Sequence, residues 1–217
     1  MRQCGKHSSR GSKASRRLRP SHRTGYTHSA RKCVMYPRDG VNPEQTTPST
    51  ELAAHAANHA REMLATGAPK REILAVLVDA AETIAGQGGV CSILALDHEG
   101  LLRNAASPNL PADYLAAIDK LKPNPRVGTC AAAAATGSVV VTCDFRADDK
   151  WAELRHLPLS LGFVGAWSMP IKNASGKVLG TLGTYFRTTR TPTQDEVNSI
   201  ETLASAASLV LAREDQL

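Results

Sequence analysis

Along this chain the pattern of apolar positions changes at about residue 50. Before it, aliphatic residues are scarce and Ser, Arg, Gly, His and Thr dominate, as in Arg16-Arg17-Leu18-Arg19-Pro20; after it, apolar positions recur with clear periods. Three segments repeat them at helical spacing. The first, residues 51–66, sets Leu52, Ala53, Ala56, Ala60, Met63 and Leu64 on one narrow, Ala-rich face behind the cap residues Ser49 and Thr50. Such a face suits packing on another helix, a second copy's included, better than forming the centre of a core. Gly67-Ala68-Pro69 breaks it. The second, residues 70–85, carries Ile73, Leu74, Leu77, Val78, Ala81 and Ile84 on a broad stripe and ends at Gly86 and Gly88-Gly89, which predicts a core helix. The third opens with Thr193-Gln194-Asp195-Glu196, a capping box, and continues through Val197, Ile200, Ala204, Ala207 and Leu211 to about Arg213.

Between these helices lie shorter apolar runs. Residues 90–96 and 101–106 read as strands joined by Asp97-His98-Glu99-Gly100, the turn chemistry of a β-hairpin. Residues 111–121 read as a short helix with Tyr114, Leu115, Ile118 and Leu121 on one side, stopped by Lys122-Pro123-Asn124-Pro125. Val127-Gly128-Thr129-Cys130 leads into the Ala run 131–135, a short and closely packed helix that Gly137 ends. A strand is predicted at 138–142, a short helix at 148–157, and two further strands at 164–171 and 178–186 around the turn 172–176. Antiparallel strand pairs, with long helices gathered at the two ends of the domain, predict an α+β fold with a single sheet rather than a doubly wound parallel one.

Charge changes the picture only for the first 50 residues. They hold 11 Lys and Arg against Asp39 and Glu44, while the remaining residues hold 15 against 18 acids. The net charge of +6 therefore belongs to residues 1–50. That stretch is predicted to be a basic, disordered tail, because it cannot bury enough apolar surface to offset its chain entropy. It offers only Tyr26 and Tyr36 for stacking, so it reads as solvated rather than as an arm for nucleic acid or lipid. Translation from Met35 would remove ten of its eleven basic residues. The five cysteines, Cys4, Cys33, Cys91, Cys130 and Cys143, include no CxxC pair, and a disulfide framework is not expected. No apolar run approaches the ~18–20 residues that span a bilayer, and no hydrophobic segment follows the basic first residues, so a cytoplasmic location without membrane contact is expected.

Several words of sequence now stand in a particular order: Ser92-Ile93-Leu94-Ala95-Leu96-Asp97, Asn109-Leu110-Pro111-Ala112-Asp113-Tyr114, Val127-Gly128-Thr129-Cys130, Asp144 followed by Trp151, Trp167-Ser168-Met169-Pro170-Ile171, and Val178-Leu179-Gly180-Thr181-Leu182. None is specific alone; their order and spacing resemble the GAF domains of bacterial signalling proteins such as diguanylate cyclases and histidine kinases. The resemblance covers residues 51–213 and implies a GAF sensor domain over 51–217. It implies a central antiparallel sheet with helices from both chain ends on one face and a small-molecule pocket on the other. The pocket wall would come from Gly128 to Ala135, Asp144 to Trp151 and the strand around Trp167. Ligand contacts are accordingly expected at Gly128, Thr129, Cys130, Ala131, Asp144, Asp148, Trp151 and Trp167. Physical chemistry agrees with that placement: small residues admit a ligand to the backbone, amides at a helix start receive an anion, and Trp151 offers a stacking face. Trp167 is as well suited to filling the core. One position departs from the family pattern, since many relatives carry Gly directly after the Cys and Ala131 stands there here. The Ala run that it begins can equally serve only to pack a helix on the sheet.

The resemblance implies a non-enzymatic, small-molecule-sensing regulatory domain in signal transduction. The chain closes on Glu-Asp-Gln-Leu soon after its last helix, so it is expected to act on a separate effector. The Ala-rich faces of the terminal helices suggest a homodimer. Two alternatives use thiols. Free-methionine sulfoxide reductases share the GAF fold, and Cys130 and Cys143 could form a nucleophile and resolver, but the further cysteine those enzymes place in this region is lacking between Phe145 and Val164. The same two cysteines could serve as a redox sensor if close enough to bond. His55 and His59 stand four apart on one helix without a third metal ligand. No residue marks attachment of a bilin or haem, and the ligand and any cofactor are left unassigned.

Overall fold

A computed structural model describes residues 46–86 and 88–213. The predicted basic tail as far as residue 45, with Met35, lies outside the described residues. Helix α1, Pro48–Ala65, begins three residues before the predicted position. Its N-cap is Thr47 rather than Ser49 or Thr50: the Thr47 side chain accepts from the Thr50 amide, the Thr50 side chain accepts in return from the Thr47 amide, and Pro48 occupies the first turn, where its missing N–H costs nothing. Helix α2, Lys70–Ala85, follows, then strands β1, Val90–Leu96, and β2, Leu102–Ala106. The short helices α3, Ala112–Ala117, and α4, Cys130–Thr136, precede strand β3, Val140–Thr142. The helix predicted at 148–157 is instead two pieces, a single 3₁₀ turn at Asp149–Trp151 and helix α5, His156–Ser160. Asp148 caps the first by accepting from the Lys150 amide. Strands β4, Gly165–Lys172, and β5, Val178–Phe186, and helix α6, Gln194–Ala212, complete the order.

The five strands form one antiparallel sheet in the order β2-β1-β5-β4-β3. The hairpins β1–β2 and β4–β5 thus meet at the centre, where β1 pairs with β5. Strand alternation divides the core into two layers. Cys91 and Ile93 of β1, Trp167, Met169 and Ile171 of β4, and Leu182 and Phe186 of β5 face α2 and α6. Leu94, Ala166 and Tyr185 face the opposite side, with Cys130, Ala131, Ala134, Phe145 and Trp151.

Helix α1 lies chiefly on α6 and α2, forming an outer layer over them. Ala53, Ala56, Ala57 and Ala60 are buried there, in one apolar layer with Ala204 and Ala207 of α6. The Ala-rich faces read as open to a second copy are therefore covered within the chain. The two helices run parallel: Thr47 at the start of α1 donates to Asp195 at the start of α6 at 2.7 and 2.9 Å, and Arg213 beyond the end of α6 donates to the Ala68 carbonyl beyond the end of α1 at 3.0 Å. Arg190 ties the start of α6 to the end of α2. It donates to both oxygens of Glu196 and to the Ala85 carbonyl, and its guanidinium stacks 3.6 Å above the Phe186 ring. No helix among the described residues is long and apolar enough to cross a membrane.

Candidate functional site

On the sheet face away from α1, α2 and α6, Gly183 leaves a shallow place over β5 into which the start of α4 settles. A β-carbon at Gly183 would stand 2.8 Å from the Cys130 sulfur and 3.2 Å from Ser92 Oγ. Around that sulfur the sheet presents hydroxyls. Cys130 Sγ lies 3.1 Å from Ser168 Oγ, and Ser168 donates to Thr129 Oγ1 at 2.9 Å. Ser92, Ser168 and Thr181 are fully buried, and the hydroxyls of Ser92 and Thr181 find no hydrogen-bond partner among the described residues. Ala131 and Ala134 continue α4 against the same layer.

The outer wall is the segment between β3 and β4. Trp151 is 4% exposed. Its ring lies on Gly128, whose absent β-carbon would be 3.6 Å from the indole edge, and packs against Phe145 at 4.3 Å between centroids. Gly128 takes a left-handed φ of +52° and gives its amide to the Lys150 carbonyl at 2.8 Å. The Trp151 indole N–H donates to Thr142 Oγ1, which donates in turn to Asp148 at 2.6 Å, and Lys150 Nζ reaches the same carboxylate at 2.7 Å. Burial pushes the Asp148 carboxyl up, but the hydrogen bonds from Lys150 and Thr142 outweigh it and hold it below the usual carboxylate value. Beneath, Tyr114 donates to the Tyr185 hydroxyl at 3.0 Å in a buried edge-to-face pair, and burial raises both phenols.

The expected site residues thus fall into three groups. Gly128, Thr129, Cys130, Ala131, Asp148 and Trp151 come together on this face. Asp144 stands at its rim, where its carboxylate accepts the Arg146 amide and shapes the turn. Trp167 does not belong to the site: strand alternation turns it to the helix side, where it is 1% exposed. Two further expectations change. Trp151 is covered rather than presented as a stacking face, because Phe145 and Gly128 enclose the indole. The start of α4 is likewise buried, with Thr129 1% exposed and the Gly128 amide already engaged. Ser168, Thr142 and Phe145 also touch Cys130 or Trp151 on this face, which the sequence reading did not anticipate. The period of two along β4 places Ser168 opposite Trp167, a signal already present in the sequence.

The thiols are arranged for packing. Cys130 is a free, buried thiol whose pKa burial raises, with its contact to the Ser168 hydroxyl opposing that rise. Cys130 is therefore not bonded to Cys143 in this structure. Cys91, on the helix side, is pushed up to about 12 by burial. His55 and His59 are exposed, and no group of three metal-ligating side chains occurs among the described residues.

With this geometry in view, comparison with known proteins places the chain. It is 33% identical over 155 residues to the methyl sulfide methyltransferase-associated sensor of Methanosarcina acetivorans, an alignment that takes 71% of this chain and 15% of that protein. The chain thus spans about 15% of the length of that relative. Among solved structures, the GAF domain of a phosphoenolpyruvate-protein phosphotransferase from Coxiella burnetii superposes with a TM-score of 0.60 at 15% identity, covering 76% of this chain and 95% of that one. Free methionine-R-sulfoxide reductase from Neisseria meningitidis, solved with its substrate, superposes with a TM-score of 0.57 at 15% identity, covering 77% and 92%. At such identity these superpositions establish the fold alone. The sequence profile described as GAF domain matches residues 67–212, from the end of α1 through the whole sheet to the last residue of α6, and the chain belongs to the GAF domain family.

Proposed function

We propose that this protein is a cytoplasmic, non-catalytic sensor module in signal transduction. Its small ligand binds on the α4 side of the sheet, against Gly128, Thr129, Cys130, Ala131 and Asp148, when the Trp151 segment moves aside. The observation that carries this reading is the position of Trp151. The ring rests on a glycine backbone and is fixed by one hydroxyl and one aromatic neighbour, on a segment joined to the sheet mainly through local turns. The relative named as a sensor supports it. The output would pass through α1 and α6 to a signalling effector. Self-association would use the outward side of the terminal helices, where Leu209 is the one exposed large hydrophobic side chain among the described residues; sedimentation velocity decides it.

Thiol catalysis is the second reading, favoured by the likeness to the sulfoxide reductase. Against it stand the burial of Cys130 and the upward direction of its pKa, since the thiolate is the nucleophile. A thermal-shift screen against cyclic nucleotides, amino acids and methionine sulfoxide, with and without reductant, tests both. A ligand at ~100 times its dissociation constant adds ~2.7 kcal/mol and raises Tm by a few degrees. Stabilisation in both redox states that Gly128→Val abolishes supports the sensor. Turnover of methionine sulfoxide that Cys130→Ser abolishes would establish the enzyme instead.

A further inference from the structure

Away from the α4 site, a cavity of about 210 Å³ opens between α2, the edge strand β2 and the segment leading into α3. It is smaller than the ~300 Å³ at which pockets for drug-sized ligands begin, and so is sized for a small metabolite. Ala75, Leu110 and Leu115 are among its apolar lining, and its polar lining is Arg71, Asn104 and Ser107, with no Asp or Glu.

Two of these polar groups, Arg71 and Asn104, are set to donate. Ser107 gives its hydroxyl hydrogen to Asn104 Oδ1 at 2.7 Å, which fixes the amide so that its NH₂ group remains free to donate. Arg71 stands in the first turn of α2, where the helix dipole disfavours a cation, and it makes no ion pair or hydrogen bond among the described residues. That turn is itself without a side-chain cap, since Pro69 occupies the N-cap. The guanidinium is exposed, lines the cleft and meets no acid among the described residues. Positive charge, a fixed amide donor and an apolar lining in one cleft complement a carboxylate joined to a compact apolar group.

We propose that this cleft is a second ligand site, specific for small monocarboxylates with an apolar body. Its walls reach both layers of the core. Helix α2 packs on α1 and α6, while Leu110 and Leu115 belong to the same apolar layer as Tyr114, which bonds Tyr185 beneath the α4 site.

Titrating the full chain with benzoate, and with benzamide as its neutral isostere, tests the proposal by amide chemical shifts. The expected result is a saturable shift at residues 71–75 and 104–115, with benzoate favoured by about tenfold or more, the effect of one charge-assisted hydrogen bond. Arg71→Gln, at an exposed position, removes that preference, and Ala75→Leu, which fills the cleft, abolishes binding of both probes. An absent or unsaturable response at these residues would overturn the proposal, as would an Arg71→Gln variant that keeps the preference. Shifts confined to residues 128–151 would also overturn it, while leaving the α4 site supported.

Discussion

Gly183 shows how closely the candidate site is filled. A methyl group there would meet the Cys130 sulfur at 2.8 Å and the hydroxyls of Ser92 and Ser168 at 3.2 and 3.4 Å, all on buried residues that cannot swing out. Gly183→Ala should therefore cost ~1–3 kcal/mol through overpacking. In a Cys130→Ala background the closest of these contacts is gone, so the cost should fall. A double-mutant cycle by urea unfolding reads that coupling directly, and equal costs in both backgrounds would refute the packing role given to Cys130. At this scale the sequence was partly legible. Gly128, Thr129, Cys130, Ala131, Asp148 and Trp151 do gather on one sheet face, as the order of small residues and an aromatic led us to expect. Whether Trp151 faced solvent was not legible, because that depends on Phe145 folding across it, a contact between two side chains of an irregular segment that has no period to read. For Trp167, the core role rather than the ligand contact is the one the fold realises, as the alternation that separates it from Ser168 implies.

Among the elements, the regular ones were readable and the irregular ones were not. Helix α2, strand β1 and strand β5 lie at their predicted bounds, and the capping box of α6 forms as its sequence implies: the Thr193 side chain accepts from the Glu196 amide and Glu196 accepts from the Thr193 amide. Periodicity is strong there because each element has one face in the core and another against solvent or a neighbouring strand. The stretch 148–157 misled because its apolar residues serve two short turns aimed differently. The start of α1 was placed too late because Thr47, Ser49 and Thr50 are all capable caps, and what selects Thr47 is Asp195, 148 residues away. Thr47→Ala removes the capping box and that tie together, and should cost ~1–2 kcal/mol, in the range measured for lost caps. Asp195→Asn keeps the cap and should cost less. Equilibrium unfolding of the two variants separates local capping from the link between helices.

For the whole molecule, the division into two core layers predicts unequal local stability. The sheet and α6 are held by long-range pairing, whereas residues 144–161 are held largely by turn hydrogen bonds such as Ala147 to Asp144 and Leu154 to Trp151. In hydrogen exchange this segment should open well before β4 and β5, and a ligand at the α4 site should slow it most. Exchange of 144–161 in step with the sheet would mean that Trp151 leaves only on global unfolding, and the sensor reading would fail. The parallel pairing of α1 and α6 sets how such a change can be felt outside. With ~1.5 Å of rise per residue, helices of 18 and 19 residues are each nearly 30 Å long, and the described backbone comes in at the Thr47 end and goes out at the Arg213 end. The domain is in this respect a link in series rather than a side branch. A pull or twist applied across it acts on the α1–α6 contact in shear, loading the whole row of alanines together instead of peeling them one by one.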